Sequence, residues 1–177
     1  AMQLPNHISN GSLFLFDRGY ISSDFLQKII EEEAYFVCRF PSYNFKVYSP
    51  TNPSVEINLK ELLANYTDKT VVMNVLVGPK KIPVRLVFYR VKSNVYRYRL
   101  EEAMKNAKKK GRELSENQKW SLQWSMIMTN TSEEQISAKD LYIVYRLRWQ
   151  IELIFKVYKS VLGLDDLRGE RRERQGR

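Results

Sequence analysis

The sequence predicts an α/β fold: a strand–helix–strand start, a β-rich middle and one long C-terminal helix. Three observations predict it. Two short apolar runs, 13–16 and 35–39, flank a segment with helical patterning. Between Pro41 and Arg90 the texture changes to apolar β-branched runs broken by Ser-Pro, Asn-Pro and Gly-Pro pairs. From Ser137 onward, apolar and polar residues recur with the 3.6-residue period of a helix.

In order, LFLF from Leu13 to Phe16 reads as a strand that stops at Asp17 and turns through Arg18 and Gly19. A helix over about 23–33 follows, capped by Ser22 or Ser23, with the Glu31–Glu33 run as its water-facing end. Tyr35–Arg39 is a strand apolar enough to be buried on both faces, which completes a βαβ-like unit. The runs FKVY, VEINL, TVVMNVLV and KIPVRLVFYRV read as an inserted antiparallel sheet, with a short helical patch at 59–65. A basic helix is expected over 93–110, then a loop from Gly111, then a strand within 121–128. Trp120 and Trp124 are expected in the core. Ser137 with Asp140 opens the final helix and Gly163 is placed to end it. The expected divisions are 1–40, first core part; 41–92, inserted β-rich subdomain; 93–120, basic helix and loop; 121–167, second core part; and 168–177, an Arg-rich tail whose order depends on residues beyond it.

Charge narrows the partner. With 29 Lys and Arg against 20 Asp and Glu, net charge +9 and a pI of about 9.6, the chain is drawn to phosphate backbones and should release them as salt rises. Seven basic residues lie between Arg97 and Arg112, and the tail has five Arg against two Glu. The first cluster reads equally well as a solvated helix face or a DNA contact. One cysteine, Cys38, excludes a disulfide framework, and one histidine, His7, excludes zinc sites of ordinary spacing. No run approaches the roughly 20 apolar residues that span a bilayer, so a cytoplasmic protein without membrane partners is expected.

The chemistry is concentrated in LYIVYRLRWQIELIFKVYKSVLG. Tyr145, Arg148, Glu152 and Lys159 are spaced three, four and seven apart, which puts them within an arc of about 60° on one helix. A polar stripe of this kind is ordinarily a solvated face. Here Trp149, Leu153, Phe155 and Val157 border it, which suggests a cleft, and the opposite face with Leu147, Ile151, Ile154 and Tyr158 is expected to dock into the core. Tyr145 as a covalent recombinase nucleophile is disfavoured, because that chemistry draws on a nearby His and the only one is His7. Asp165 and Asp166 point apart on a loop and read as solvated.

The Tyr-x2-Arg-x3-Glu-x6-Lys pattern, with Thr129-Asn130 before it and DRGY at 17–20, resembles the signature of DDE transposases of insertion-sequence family four. The resemblance implies a ribonuclease-H-like core, here partial, interrupted by the antiparallel β-rich subdomain. It also implies that Asp17 and Glu152 are catalytic metal ligands, and that Tyr145, Arg148 and Lys159 contact phosphates of double-stranded DNA at the transposon end. Trp149, beside the stripe, reads about equally as a core residue or as a stacking platform for an unpaired base. Two Mg2+ ions, roughly 3.5–4 Å apart, need three carboxylates. The sixteen residues before Asp17 hold no Asp or Glu, so the third is expected on an earlier strand and the chain alone is expected to be inactive. An unpaired edge at 13–16 would favour self-association on DNA. The alternative is a non-catalytic DNA-binding module in which Glu152 only pairs with Arg148 or Lys159.

Overall fold

The computed structural model describes residues 8–17, 19, 21–41 and 45–161, and the side chains of Trp149, Ile151, Glu152, Phe155, Lys156, Lys159 and Ser160 fall outside that description. Arg18, Gly163, Asp165, Asp166 and the Arg-rich tail also lie outside the described residues.

β1 (Leu13–Phe16) and β2 (Tyr35–Arg39) are parallel and joined by α1 (Ser23–Glu31). Ser22 caps α1, its side chain accepting from the Phe25 amide, and Glu31, Glu32 and Glu33 are all exposed. β3 (Val47–Tyr48), β4 (Thr70–Val77) and β5 (Ile82–Arg90) form an antiparallel series with α2 (Leu59–Ala64) between β3 and β4. α3 (Ser93–Lys109) and α4 (Glu116–Ser121) lead to β6 (Trp124–Thr129), and α5 (Ala138–Val161) ends the described chain.

These strands make one six-stranded sheet in the order β1-β2-β6-β5-β4-β3. β6 runs antiparallel to both β2 and β5. The run 41–92 therefore continues the sheet that begins with β1 and β2, through β6. VEINL differs from expectation: Glu56 makes a single bridge to Tyr48, and Asn58 then caps α2 by accepting from Lys60 and Glu61 amides. α4 was not expected, although Ser115 and Gln118 form a capping box that is visible as Ser-x-x-Gln in the sequence.

The period of two divides the strands between two cores. Phe36, Cys38, Leu86, Phe88, Met126 and Met128 face one side, against Leu26 and Ile29 of α1 and Leu59 and Leu63 of α2. Burying each such large side chain stabilises the fold by about 1.5–3 kcal/mol. Trp124 is in this core and Trp120 packs on it, as expected. Leu15, Val37, Val87 and Ile127 face the other side, against Leu141 and Tyr145 of α5.

Thr129 and Asn130 fasten the returning β6 to β2. The Thr129 hydroxyl donates to Phe36 O at 2.6 Å, and Asn130 accepts from the Phe36 amide at 2.8 Å while donating to Ala34 O at 2.9 Å. The side-chain amide thus extends the ladder past the end of the strand, satisfying backbone groups that would otherwise be unpaired.

Candidate active site

α5 is held by its first turn. Ser137 accepts from the Asp140 amide, and Glu133 accepts from the Ala138 amide at 2.8 Å. Glu133 is in turn paired with the buried guanidinium of Arg85, which also donates to Ile136 O at 2.7 Å and to the Thr131 hydroxyl at 3.2 Å. The Tyr89 hydroxyl donates to Ala138 O, and its ring lies 5.0 Å from that of Tyr142. Two strand side chains, Arg85 and Tyr89, fix where the helix starts on the sheet.

From there α5 crosses to β2 and β1 with Leu141 and Tyr145 against Val37 and Leu15. The orientation of the helix reverses the sequence expectation. Leu147, Ile154 and Tyr158, expected to dock, are exposed by 46%, 60% and 62%. The reason is the helical period: Leu141, fully buried, lies on the same line as Tyr145 and Arg148, so burying Leu141 turns that line toward the sheet. Position 152 continues the line by one further turn. Tyr145 and Arg148 are thus on the sheet-facing side, and Leu147, Ile154 and Tyr158 are on the outer one.

Tyr145 and Arg148 form a pair. Arg148 Nε donates to the Tyr145 hydroxyl at 3.2 Å, and its guanidinium carbon lies 5.5 Å from the ring centroid. Burial raises the Tyr145 pKa; Arg148 opposes the rise through its hydrogen bond and charge, Asp17 adds to it and Arg39 opposes it. The phenol therefore stays protonated while feeling both a carboxylate and a second arginine.

Asp17 follows the end of β1. Leu15 faces α5, so the strand alternation puts Asp17 on the same side, and the pairing of Phe16 with Cys38 sets it beside Arg39 at the end of β2. This is the carboxyl end of two parallel strands, where open α/β sheets characteristically present functional groups. Complete burial pushes the Cys38 thiol well up, with the Asp17 charge adding to the effect, so this cysteine is an inert core residue rather than a nucleophile.

The structure brings Asp17, Tyr145 and Arg148 to one sheet edge. The side chains of Glu152, Lys159 and Trp149 are outside the described residues, so their distances to Asp17 are not part of this geometry. Among the described residues there is no group of three or more His, Cys, Asp or Glu side chains able to hold a metal ion. Asp17 supplies a hard oxygen donor of the kind that suits Mg2+.

Arg39 was not expected at the site, and Arg99 was expected only as one of the basic cluster between Arg97 and Arg112. Arg39 closes β2, and Arg99 of α3 is half-buried at the same edge, donating to Trp124 O at 3.3 Å and Ser125 Oγ at 3.0 Å. Burial lowers the Arg99 pKa and the charge of Arg39 lowers it further, while Tyr142 opposes the shift. A cation ending an apolar strand next to the Asp-bearing strand was the available signal for Arg39.

Comparison with known proteins shows the family. The family model of the transposase DDE domain matches residues 2–176. The chain belongs to that family. It is 28% identical over 181 residues to the transposase for insertion sequence element IS231E of Bacillus thuringiensis subsp. finitimus, covering 93% of this chain and 38% of that protein. The transposase for IS1151 of Clostridium perfringens is 28% identical over 182 residues, covering 92% and 38%. A shorter match, 48% identical over 48 residues, joins 27% of the chain to 13% of the putative transposase InsL for IS186A of Escherichia coli strain K12. The DDE family chain thus spans about two-fifths of the length of the first two relatives. No solved structure matches it. Among the described residues no helix is long and apolar enough to cross a membrane.

Proposed function

We propose that this chain is the part of an insertion-sequence transposase that binds transposon-end DNA and carries Asp17 and Glu152 for phosphodiester hydrolysis and strand transfer. The observation that carries this reading is the docking of α5 with its Tyr145–Arg148 line inward, so that the phenol senses Asp17. On a ribonuclease-H-like core with 41–92 as an insertion, that edge is where the scissile phosphate lies.

Asp17 and Glu152 would hold Mg2+, and a third carboxylate would come from the rest of the whole protein, since residues 1–16 contain none. When bound, two such ions supply charge neutralisation and activation of a hydroxyl nucleophile. The chain's own residues position the DNA. Tyr145 accepts from Arg148 and keeps its own proton, which it donates to a phosphate oxygen. Arg148, with its guanidinium over the Tyr145 ring, and Lys159 would add positive charge for the phosphates. Trp149 would stack on an unpaired base. Self-association on DNA is supported by the exposed apolar row of α5.

Glu152→Gln in the full-length protein tests the reading. Binding to transposon-end duplex should stay within about twofold, because no positive charge is removed, while metal-dependent strand cleavage disappears. Cleavage at the unmodified rate by a folded Glu152→Gln protein would overturn it.

A further inference from the structure

α3 contributes nothing to the site beyond Arg99, yet it holds the densest exposed positive charge among the described residues. Its inward side is formed by Tyr96, Arg99, Leu100, Ala103 and the buried Ala107. With about 100° per residue, Arg97, Tyr98, Lys105, Lys108 and Lys109 fall on the outward side within an arc of about 120°. All five are exposed, Tyr98 by 66%. Glu101 is the carboxylate among them, and Glu102 at the margin pairs with Lys105 at 3.0 Å. An exposed pair of that kind contributes little, so Lys105 exchanges it readily for a phosphate.

The helix is fixed to the edge that carries Asp17. Arg90 pairs with Trp124, the Val91 amide donates to Gln123 O at 2.9 Å, and Arg99 donates to Leu122 O, Trp124 O and Ser125 Oγ. These bonds join the start of α3 to the start of β6, which lies beside the end of β2. Seventeen residues make a rod about 25 Å long, the rise of roughly seven base pairs. Four cations with one exposed tyrosine match a duplex backbone; an acidic protein surface would not require a rod attached to this edge.

We propose that the outer face of α3, through Arg97, Tyr98, Lys105, Lys108 and Lys109, docks the phosphate backbone of duplex DNA and leads it to the Asp17 edge. This rests on the DNA-processing reading above. Contacts of this kind carry no base information, so the surface supplies sequence-independent affinity and orientation.

The test is fluorescence anisotropy with a labelled 30-base-pair duplex of arbitrary sequence, comparing the chain with its R97A/K105A/K108A/K109A variant across a salt series. With four phosphate contacts removed, the slope of log K against log salt should become shallower by about 3.6 and affinity near 0.1 M salt should fall on the order of 1,000-fold. R97K/K105R/K108R/K109R should bind like the parent, which separates charge from helix stability. An Ala variant that melts like the parent and keeps its affinity and slope overturns the α3 surface alone, leaving the transposase reading intact. No binding of duplex by the parent chain overturns the surface together with that reading. Tighter binding of an RNA duplex than of the DNA duplex also overturns the proposal.

Discussion

Replacing Arg85 by Ala should destabilise the protein by about 3 kcal/mol, the low end of the range for breaking a buried pair. Arg85 is 5% exposed and meets Glu133, Thr131 and the Ile136 carbonyl. Hydrogen bonds to a charged group contribute about 1.5–3 kcal/mol each, but the losses are unequal. Glu133 is 52% exposed and regains water, which discounts the ion pair. Thr131 keeps Thr129 as a partner at 3.0 Å. The Ile136 carbonyl loses its guanidinium donor, and the space of the side chain is left behind. For a chain of this length, about 3 kcal/mol corresponds to a melting temperature lower by about 6–12 °C. Urea denaturation followed by circular dichroism measures the difference directly. Because Arg85 Nε has no hydrogen-bond partner, Arg85→Met should lose less than Arg85→Ala. A loss under about 1 kcal/mol for Arg85→Ala, or a larger loss for Met than for Ala, would refute the claim that this guanidinium anchors α5.

Gly78→Ala should cost about 1–2 kcal/mol, because its φ of +69° disfavours a side chain and the new Cβ would sit 2.8 Å from Ser23 Oγ and 3.1 Å from the Phe45 ring. Ser23→Gly in the same chain should recover part of that loss in urea melts, and an unchanged midpoint for Gly78→Ala would contradict the crowding. Stability should also fall at alkaline pH. Burial raises the pKa of both Tyr89 and Tyr145, so the folded state holds protons that the unfolded state releases near pH 10; their contribution is complete below about pH 10 and is lost as pH rises through the folded values. Urea midpoints between pH 8 and 11 should decline for the parent and decline less for Tyr89→Phe; equal slopes would refute the assignment.

Local elements were legible because local chemistry determines them. Leu13–Phe16 and Tyr35–Arg39 are bounded as expected, since each is an apolar run cut by a polar residue. The start of α5 followed from Ser137 and Asp140. What failed was the facing of α5. Leu147, Ile154 and Tyr158 look like a docking face by hydropathy alone, whereas Leu141, Arg85 and Tyr89 decide the rotation, and those are contacts between distant parts of the chain. Equally, nothing in 41–92 announces that β5 will pair with β6 and so join β2; that pairing follows from where the chain returns. Asp17 and the Tyr145–Arg148 pair were recognisable from motif letters, while Arg39 and Arg99, which share their edge, belong to no motif.

The clasp made by Asn130 has a temporal meaning. Its amide bonds Phe36 and Ala34 across 94 and 96 positions of chain, so closing the ladder between β2 and β6 brings together segments far apart in sequence. Closing such long loops is slow relative to forming helices, and sheets built on distant pairings fold in milliseconds to seconds. Asp17 and Tyr145 lie on opposite sides of that closure. The edge that would meet DNA is therefore completed only through a long-range closure, and a chain that has made β1, α1 and β2 alone carries the carboxylate without the phenol and arginine that complete it.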